Sequence, residues 1–122
     1  MIVGLGTDII EIQRIKKALN SEKFKELVYS VKERRYCESR GEQAVASFAA
    51  RFAGKEAFFK ALGTGIICAL NLVEILNDAK GKPILKLSGE ALKLVEDRNI
   101  KNLHMTLSHS REYATATCIF EN

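Results

Sequence analysis

Two charged residues on one segment are the first candidates for chemistry in this sequence. Glu56 and Lys60 are four positions apart in a stretch without proline, so on a helix they share a face. On a solvated face such a pair is an ordinary ion pair that contributes roughly 0.2–0.5 kcal/mol to helix stability. Aromatic and alanine side chains surround them and leave little of this helix for solvent. The pattern therefore favours a position beside a cleft, where Arg51 and Lys55 add positive charge.

Asp8 is a further acidic candidate because it follows a short apolar segment, residues 2–6, that predicts a buried strand. A carboxylate at such an edge is costly unless it is solvated, hydrogen-bonded or bound to a metal. If Asp8 and Glu56 converge, they form a hard oxygen site suited to Mg²⁺, with phosphate oxygens completing the coordination. The alternative, favoured from this residue alone, is that Asp8 caps a helix starting near Ile9, with Glu11 in its first turn.

Glycine and histidine residues carry weaker patterns. Residues 63–65, Gly-Thr-Gly, end a predicted helix instead of opening one, so they are not the usual helix N-terminal phosphate cradle. Gly4 and Gly6 lack the third glycine of a dinucleotide-binding fingerprint. His104 and His109 fall on opposite faces of a predicted strand, so they do not share a pocket unless a bulge intervenes.

Composition and charge exclude several classes of protein. The 122 residues are 47% hydrophobic and 28% charged, as in an ordinary globular domain, and no stretch approaches the ~20 apolar residues that cross a bilayer. The net charge of +4 favours an anionic partner: a nucleic acid, a phosphorylated small molecule or an acidic protein. Cys37, Cys68 and Cys118 are scattered, which argues against a zinc site or a disulfide framework. We expect one cytoplasmic domain spanning residues 1–122.

The hydrophobic pattern predicts helices mainly in the first half and antiparallel strands in the second, an α+β fold. Helices are expected from Ile9 through residue 19, over 24–31, from a capping box at Ser30 and Glu33, over 42–62 and after Ser88. Strands are expected over 2–6, 72–77, 83–87, 103–108 and 114–120. The segment 42–62 is apolar on both faces, so it should lie at the centre, with the other helices packed on a mainly antiparallel sheet.

Three segments, in register, resemble motifs of the 4′-phosphopantetheinyl transferases of the short bacterial type, the holo-acyl-carrier-protein synthases. Residues 4–14 (GLGTDIIEIQR) resemble the opening motif of that family. Residues 51–66 (RFAGKEAFFKALGTGI) resemble its central motif, the most specific of the three, and residues 104–110 (HMTLSHS) resemble its closing strand motif. The order, the spacing and the short total length agree, and the resemblance covers essentially the whole chain.

The resemblance implies a Mg²⁺-dependent enzyme of fatty acid biosynthesis. Such enzymes transfer the phosphopantetheine arm of coenzyme A to a serine of apo acyl carrier protein and release adenosine 3′,5′-bisphosphate. By position in the motifs, Asp8 and Glu56 would bind the metal and Lys60 would stabilise the leaving phosphate. The first choice for the general base is Glu56 acting through a metal-bound water. The candidates for coenzyme A binding are Arg51, Lys60, Gly63, Thr64, Gly81, Lys82, Pro83 and His109.

The resemblance also implies a homotrimer with active sites at subunit interfaces. Acyl carrier proteins are acidic, so the basic stretch that includes Arg14, Lys17 and Lys23 is a candidate docking surface. Two alternatives remain at this stage. The basic helices also suit a small nucleic-acid-binding protein, although no RNP, KH-type or zinc-finger pattern appears. An oligomeric scaffold without catalysis would leave Asp8, Glu56 and Lys60 freely replaceable.

Overall fold

The computed structural model describes all 122 residues as an α+β fold, which confirms the expected fold class. In chain order the elements are β1 (Ile2–Glu11), α1 (Ile12–Ala18), α2 (Glu22–Val28), α3 (Val31–Glu38), α4 (Ala44–Leu62), β2 (Val73–Asn77), β3 (Pro83–Leu87), α5 (Gly89–Asp97), β4 (Asn102–His109) and β5 (Tyr113–Glu121). Short 3₁₀ turns, Gly41–Gln43 and Leu70–Leu72, precede α4 and β2. None of the helices combines the length and the apolar composition that crossing a membrane requires.

The strands form two separate antiparallel units. One is a three-stranded sheet in the order β1-β5-β4, and the other is the hairpin of β2 and β3. Strand β5 is central, and its small buried side chains Ala114, Ala116 and Cys118 alternate with half-buried ones. Cys118 lies opposite Gly6 on β1, and Ala116 lies opposite Asp8. Because these side chains are small, a helix can pack close to this face of the sheet.

Helix α4 lies at the centre of the core, as its two apolar faces predict. Phe48, Phe58 and Phe59 are all almost fully buried, and the ring of Phe58 packs edge-on against Phe120 of β5 with 5.3 Å between centroids. The helix ends at Gly63, whose φ of 78° is the left-handed cap conformation that favours glycine. Its start was predicted slightly early, because Gly41–Gln43 forms a 3₁₀ turn before α4.

Two glycines of β1 set the distance between the sheet and α4. A Cβ placed on Gly6 would lie 2.0 Å from the carbonyl oxygen of Ala57, and one on Gly4 would lie 2.5 Å from that of Ala61. Real Cβ atoms essentially never approach other atoms so closely. Gly4 and Gly6 therefore serve backbone-to-backbone packing, and this explains their spacing without any nucleotide-binding loop.

We expect Gly6→Ala to lower the free energy of unfolding by about 3 kcal/mol or more, at the upper end of the usual cost of overpacking. The new methyl group would meet the backbone of α4, which cannot move aside without separating helix and strand. Gly54→Ala is the matched control, because its methyl would meet only the side-chain ends of Ile75, Met105 and Leu107. Chemical denaturation of both variants measures the difference, and equal stabilities would contradict this account of the packing.

The predicted helix start at Ile9 is wrong. Strand β1 continues to Glu11, because its pairing with β5 extends as far as Glu11 opposite Tyr113, and helix α1 begins only at Ile12. Asp8 is therefore a strand residue and not an N-cap. Glu11 occupies the N-cap position without a capping hydrogen bond, and the first turn of α1 contains no acidic residue. The strand ladder with β5 outweighs the local helical periodicity of this segment.

The continuous helical face predicted over residues 24–31 is divided between two helices. Helix α2 ends at Val28, and the backbone is extended at Tyr29 and Ser30 before α3 begins at Val31. The predicted capping box is confirmed: Ser30 Oγ accepts the Glu33 N–H at 3.2 Å, and Glu33 Oε1 accepts the Ser30 N–H at 2.9 Å. The later strands and the helix after Ser88 lie close to where the sequence predicted them.

Candidate active site

Asp8 and Lys60 come together where β1 crosses α4. Lys60 Nζ lies 3.0 Å from Asp8 Oδ1, with the Lys60 side chain 54% exposed and the Asp8 side chain 16% exposed. Glu56 lies within electrostatic range of both. Its pKa is raised by partial burial and by the Asp8 carboxylate, and the Lys60 ammonium lowers it in part. The structure thus brings together the three residues for which the sequence suggested chemistry.

The glycine contacts explain why Asp8, on strand β1, lies beside helix α4. Gly4 lies against Ala61 and Gly6 against Ala57, so strand and helix run in opposite directions. Two strand residues advance about 6.6 Å and four helix residues about 6.0 Å, so every second residue of β1 lies beside every fourth residue of α4. Two residues further along β1, Asp8 therefore meets the turn of α4 that ends at Glu56.

The side chains at this crossing fit a hard divalent cation. No group of three or more His, Cys, Asp or Glu residues gathers anywhere in the chain, so a cation here would have the two carboxylates of Asp8 and Glu56. Mg²⁺ is characteristically bound through one or two carboxylates together with substrate phosphates and water. Burial and, second to it, repulsion by the Asp8 carboxylate raise the pKa of Glu56, and a cation bound by both carboxylates would relieve that repulsion. The donor set fits Mg²⁺ with a phosphate ligand.

A separate cleft of about 210 Å³ lies between α3, the start of α4, the β2–β3 turn and the end of β4. Its polar lining includes Arg40, Arg51, Asn77, Gly81 and His109. Arg51 is only 3% exposed, its guanidinium lies over the Tyr36 ring at 4.6 Å, and its Nε has no hydrogen-bond partner. A buried guanidinium with a free N–H edge is suited to an anionic ligand such as phosphate.

The residues expected to bind coenzyme A fall into separate places. Arg51, Gly81, Pro83 and His109 all line the cleft. Gly63 and Thr64 lie instead at the carboxyl end of α4, just after Lys60. Lys82 is exposed in the β2–β3 turn, where its N–H bonds to Asp78 Oδ1 at 2.9 Å, and it does not line the cleft. His104, on the opposite strand face from His109, pairs with Glu121 at 2.6 Å.

Sequence reasoning identified four of the eleven residues that line the cleft and missed the other seven, which include Tyr36, Arg40 and Asn77. Arg40 lies in the short loop after α3 and Tyr36 in the last turns of α3, and neither position carries a sequence pattern that indicates a site. Asn77 was placed correctly at the end of a strand, before an aspartate-glycine turn. Its position next to such a turn is the one signal that would have drawn attention to it.

The expectation that Lys55 adds positive charge beside Glu56 is wrong. Lys55 is fully buried on another face of α4, where its Nζ lies 2.8 Å from Glu33 Oε1 and donates to two backbone carbonyl groups. Arg51 also points away from Glu56, because five positions along a helix correspond to about 140° of rotation. The acidic pair and the Arg51 cleft therefore face different sides of α4.

The predicted docking residues are all at the surface. Arg14 and Lys17 are exposed on α1, and Lys23 is exposed on α2. None of the three takes part in a salt bridge, whereas nearby Lys25 lies 3.9 Å from Glu22. Their positive charges are therefore free to attract an acidic partner.

Comparison with known proteins defines the class to which this fold and site belong. The 4′-phosphopantetheinyl transferase superfamily model matches residues 4–118, nearly the whole chain. The chain belongs to this superfamily, which confirms the resemblance seen in the sequence motifs.

The individual relatives are holo-[acyl-carrier-protein] synthases. Those of Ruminiclostridium cellulolyticum and Aliivibrio fischeri are 46% and 47% identical to this chain, over 94% and 99% of it and 89% and 98% of their own lengths. The solved synthase from Neisseria meningitidis superimposes with a TM-score of 0.90 at 32% identity, with both chains fully covered. The Bacillus anthracis synthase, solved in complex with CoA (3′,5′-ADP), gives 0.82 at 40% identity over 98% of this chain and 96% of that one.

Proposed function

We propose that this protein transfers the 4′-phosphopantetheine group of coenzyme A to a serine of apo acyl carrier protein. The products are holo acyl carrier protein and adenosine 3′,5′-bisphosphate. Membership of the superfamily and relatives named as holo-[acyl-carrier-protein] synthases support the reaction. The observation that carries it is the meeting of Asp8, Glu56 and Lys60 where β1 crosses α4. The same findings favour a transferase over a nucleic-acid-binding module.

Asp8 and Glu56 would hold Mg²⁺, and Lys60 would act on the departing phosphate. Bound there, Mg²⁺ would offset negative charge on the pyrophosphate of coenzyme A. Lys60 Nζ, half exposed beside the acidic pair, can approach the phosphate oxygens and stabilise the charge that grows on the leaving group. Glu56 is the first candidate for the general base, because it lies close to Asp8 and Lys60 at the proposed reaction site.

The cleft is the proposed place for the nucleotide portion of coenzyme A. Arg51 and His109 offer donors for phosphate oxygens, and Gly81 and Pro83 form a rim without charged side chains. Lys82, exposed in the same turn, remains a candidate for an electrostatic contact. Gly63 and Thr64, immediately after Lys60, are candidates for contact with the part of the ligand near the reacting phosphate.

We also propose that the protein is a homotrimer with active sites shared between subunits. The sheet face opposite α4 carries Leu5 and Ile9, which are 64% and 63% exposed and lie next to Ile119 and Thr115 on β5. An exposed apolar face of this kind suggests contact with another chain. Because Arg51 and Glu56 face different sides of α4, a site that pairs the cleft of one subunit with the acidic pair of its neighbour would use both.

Leu5→Lys should convert the trimer to monomers and lower transferase activity, because a charge would be buried in the subunit contact. Sedimentation equilibrium gives the mass, and Leu92→Lys is the control, since Leu92 is exposed on α5 instead of on the sheet.

A second experiment tests whether each active site is shared between two subunits. Mixed trimers refolded from the inactive variants His109→Glu and Glu56→Gln should regain activity, and absence of any recovery would place the whole site in one subunit.

Docking of the acidic carrier protein is proposed at the basic surface that includes Arg14, Lys17 and Lys23. We expect Arg14→Glu to raise KM for the carrier protein by about tenfold at low salt, as reversal of a rim charge slows association. KM for coenzyme A should stay unchanged. Added salt should reduce the difference in KM for the carrier protein between Arg14→Glu and the parent. Lys93→Glu on α5 is the charge-matched control. Equal effects of Arg14→Glu on both substrates would contradict a docking role.

The experiment that tests the function is incubation with apo acyl carrier protein, coenzyme A and Mg²⁺, followed by mass spectrometry of the carrier protein. We expect one added phosphopantetheine group, and an unchanged mass would contradict the proposal.

The three free cysteines and the absence of disulfides suit a reducing compartment, so we propose a cytoplasmic role in fatty acid biosynthesis.

A further inference from the structure

The side chain of Asn77 connects two parts of the cleft that are far apart in the chain. Its Oδ1 accepts a hydrogen bond from Arg51 Nη2 on α4. Its Nδ2 donates to the carbonyl oxygen of Gly81 in the β2–β3 turn, at 2.8 Å. Arg51 and Gly81 both line the cleft, so one amide group joins its buried cation to its rim.

The chemistry of these partners leaves few alternatives at this position. A guanidinium can only donate hydrogen bonds and a backbone carbonyl can only accept them. The residue between them must therefore accept on one side and donate on the other, which a carboxamide does with its two ends. An aspartate would keep the contact with Arg51 and lose the donor to Gly81, and an alanine would lose both contacts.

The turn end of the hairpin depends on such a connection, because β2 and β3 lie outside the main sheet and the bonds from Lys55 and Glu33 reach only Val73 and Ile75, near the start of β2. Strands β2 and β3 pair only with each other. Within the turn, Asp78 Oδ1 accepts the N–H groups of Lys80 and Lys82 at 2.8 and 2.9 Å, which fixes the internal shape of the turn. Those bonds do not fix where the turn lies relative to α4. The bridge through Asn77 does.

Arg51 is held on its other side as well. Its Nη1 donates to Ser47 Oγ at 3.2 Å, and Tyr36 covers one face of the guanidinium. With Asn77 in place, the guanidinium is fixed in the cleft before any ligand arrives. Donors that are already oriented bind an anion without the entropic cost of ordering them.

We propose that Asn77 is a positioning residue that sets the affinity of the cleft for the nucleotide portion of coenzyme A, an inference that rests on the proposed function. It acts through Arg51 and Gly81 and does not reach the acidic pair, because Arg51 and Glu56 lie on different sides of α4. Loss of the bridge should therefore weaken coenzyme A binding and leave the chemical step unchanged.

The test compares Asn77→Ala and Asn77→Asp with Asn71→Ala. Asn71 is the matched control because its Nδ2 also donates to a backbone carbonyl, that of Glu26 at 3.3 Å, but it does not line the cleft. We expect Asn77→Ala to raise KM for coenzyme A about tenfold, as loss of a hydrogen bond to a charged group does. We expect kcat and KM for the carrier protein to stay within about twofold, within the variation of near-neutral substitutions. Asn71→Ala should change none of these values.

Asn77→Asp gives a second check. Its carboxylate still accepts from Arg51, but it loses the donor to Gly81 and adds a negative charge that repels phosphate, so we expect KM for coenzyme A to stay raised. A KM equal to that of the parent in Asn77→Ala, or full rescue in Asn77→Asp, would overturn the inference and leave the proposed function intact. If the parent protein itself transfers nothing, the proposed function fails. Calorimetric binding of adenosine 3′,5′-bisphosphate then decides the inference, since weaker binding by Asn77→Ala supports it and equal binding overturns it.

Discussion

Glu56→Gln should lower kcat by about 10³-fold, because it removes one of the two carboxylates proposed to hold a cation against the reacting phosphates. Such a cation supplies several kcal/mol of charge stabilisation in the transition state, and each ~1.4 kcal/mol corresponds to a factor of ten in rate. The substitution also removes the first candidate for the general base. The measurement is the initial rate of holo carrier protein formation at saturating coenzyme A and fixed Mg²⁺.

The same substitution should not destabilise the fold. The pKa of Glu56 is raised by burial and by the Asp8 carboxylate, so its negative charge is unfavourable where it lies. Glutamine has nearly the same shape and no charge. We therefore expect Glu56→Gln to be as stable as the parent, or more stable, when Mg²⁺ is absent. This combination, with activity lost and stability kept, is the signature of a residue held in place for function.

A readout independent of catalysis completes this test. Mg²⁺ with coenzyme A should raise the unfolding temperature of the parent, because a ligand that binds only the folded state stabilises it. Glu56→Gln should show a much smaller rise. Glu96→Gln removes the same charge from an exposed position on α5 and should behave as the parent. Full activity of Glu56→Gln, or an unchanged thermal response to Mg²⁺, would contradict the assignment of the metal site.

Much of the fold can be predicted from short stretches of sequence, because helix starts and ends depend on residues that are close together in the chain. The capping box of Ser30 and Glu33 depends on residues three positions apart, and the end of α4 depends on Gly63. The start of the chain is different. The segment after Asp8 has helical periodicity, yet it is a strand because β5, more than a hundred residues later, pairs with it. Non-local pairing of this kind leaves no signal within the segment itself.

The site shows the same division. Glu56 and Lys60 are one helical turn apart and could be identified together, whereas the approach of Asp8 depends on two glycines packed against α4. The hydrophobic pattern could not distinguish Lys55 from its neighbour Glu56, since both are charged residues on a largely apolar helix. In the structure Lys55 is fully buried and Glu56 is half-buried. The positions of Glu33 and of the Leu70 and Val73 carbonyl groups, all outside α4, account for that difference.

Lys55 and Glu33 form a buried ion pair that joins three elements. Lys55 Nζ lies 2.8 Å from Glu33 Oε1 and donates to the carbonyl oxygens of Leu70 and Val73. Glu33 Oε2 accepts the N–H of Ile75 at 3.0 Å, and its other oxygen completes the capping box. The pair ties α3 and α4 to the start of β2. Every charged atom in it has a partner, which is the condition under which buried charges are tolerated.

We expect Lys55→Met to lower the free energy of unfolding by about 3–5 kcal/mol, the usual cost of removing one partner from a buried pair. Glu33→Gln should cost a similar amount, since a glutamine has only one acceptor oxygen for the partners that Glu33 satisfies with two. Glu22→Gln is the control: its side chain is 69% exposed and lies 3.9 and 3.7 Å from Lys25 and Arg34. That exposed contact should contribute about 1 kcal/mol at most. Urea denaturation measures all three.

The double variant and pH together identify the buried charge as the cause. Lys55→Met with Glu33→Gln should cost less than the sum of the two, because the second change removes a group already left without its partner. In Glu33→Gln alone, burial lowers the pKa of Lys55 without the opposing effect of the Glu33 carboxylate, and only the smaller effect of Glu74 remains to raise it. The unfolded chain then binds more protons than the folded one at pH values between the lowered pKa of Lys55 and the ordinary lysine pKa of 10.5. The stability deficit of Glu33→Gln relative to the parent should therefore shrink as pH rises toward that value. A deficit that is constant with pH would show that lost packing, and not an unpaired lysine charge, destabilises the variant.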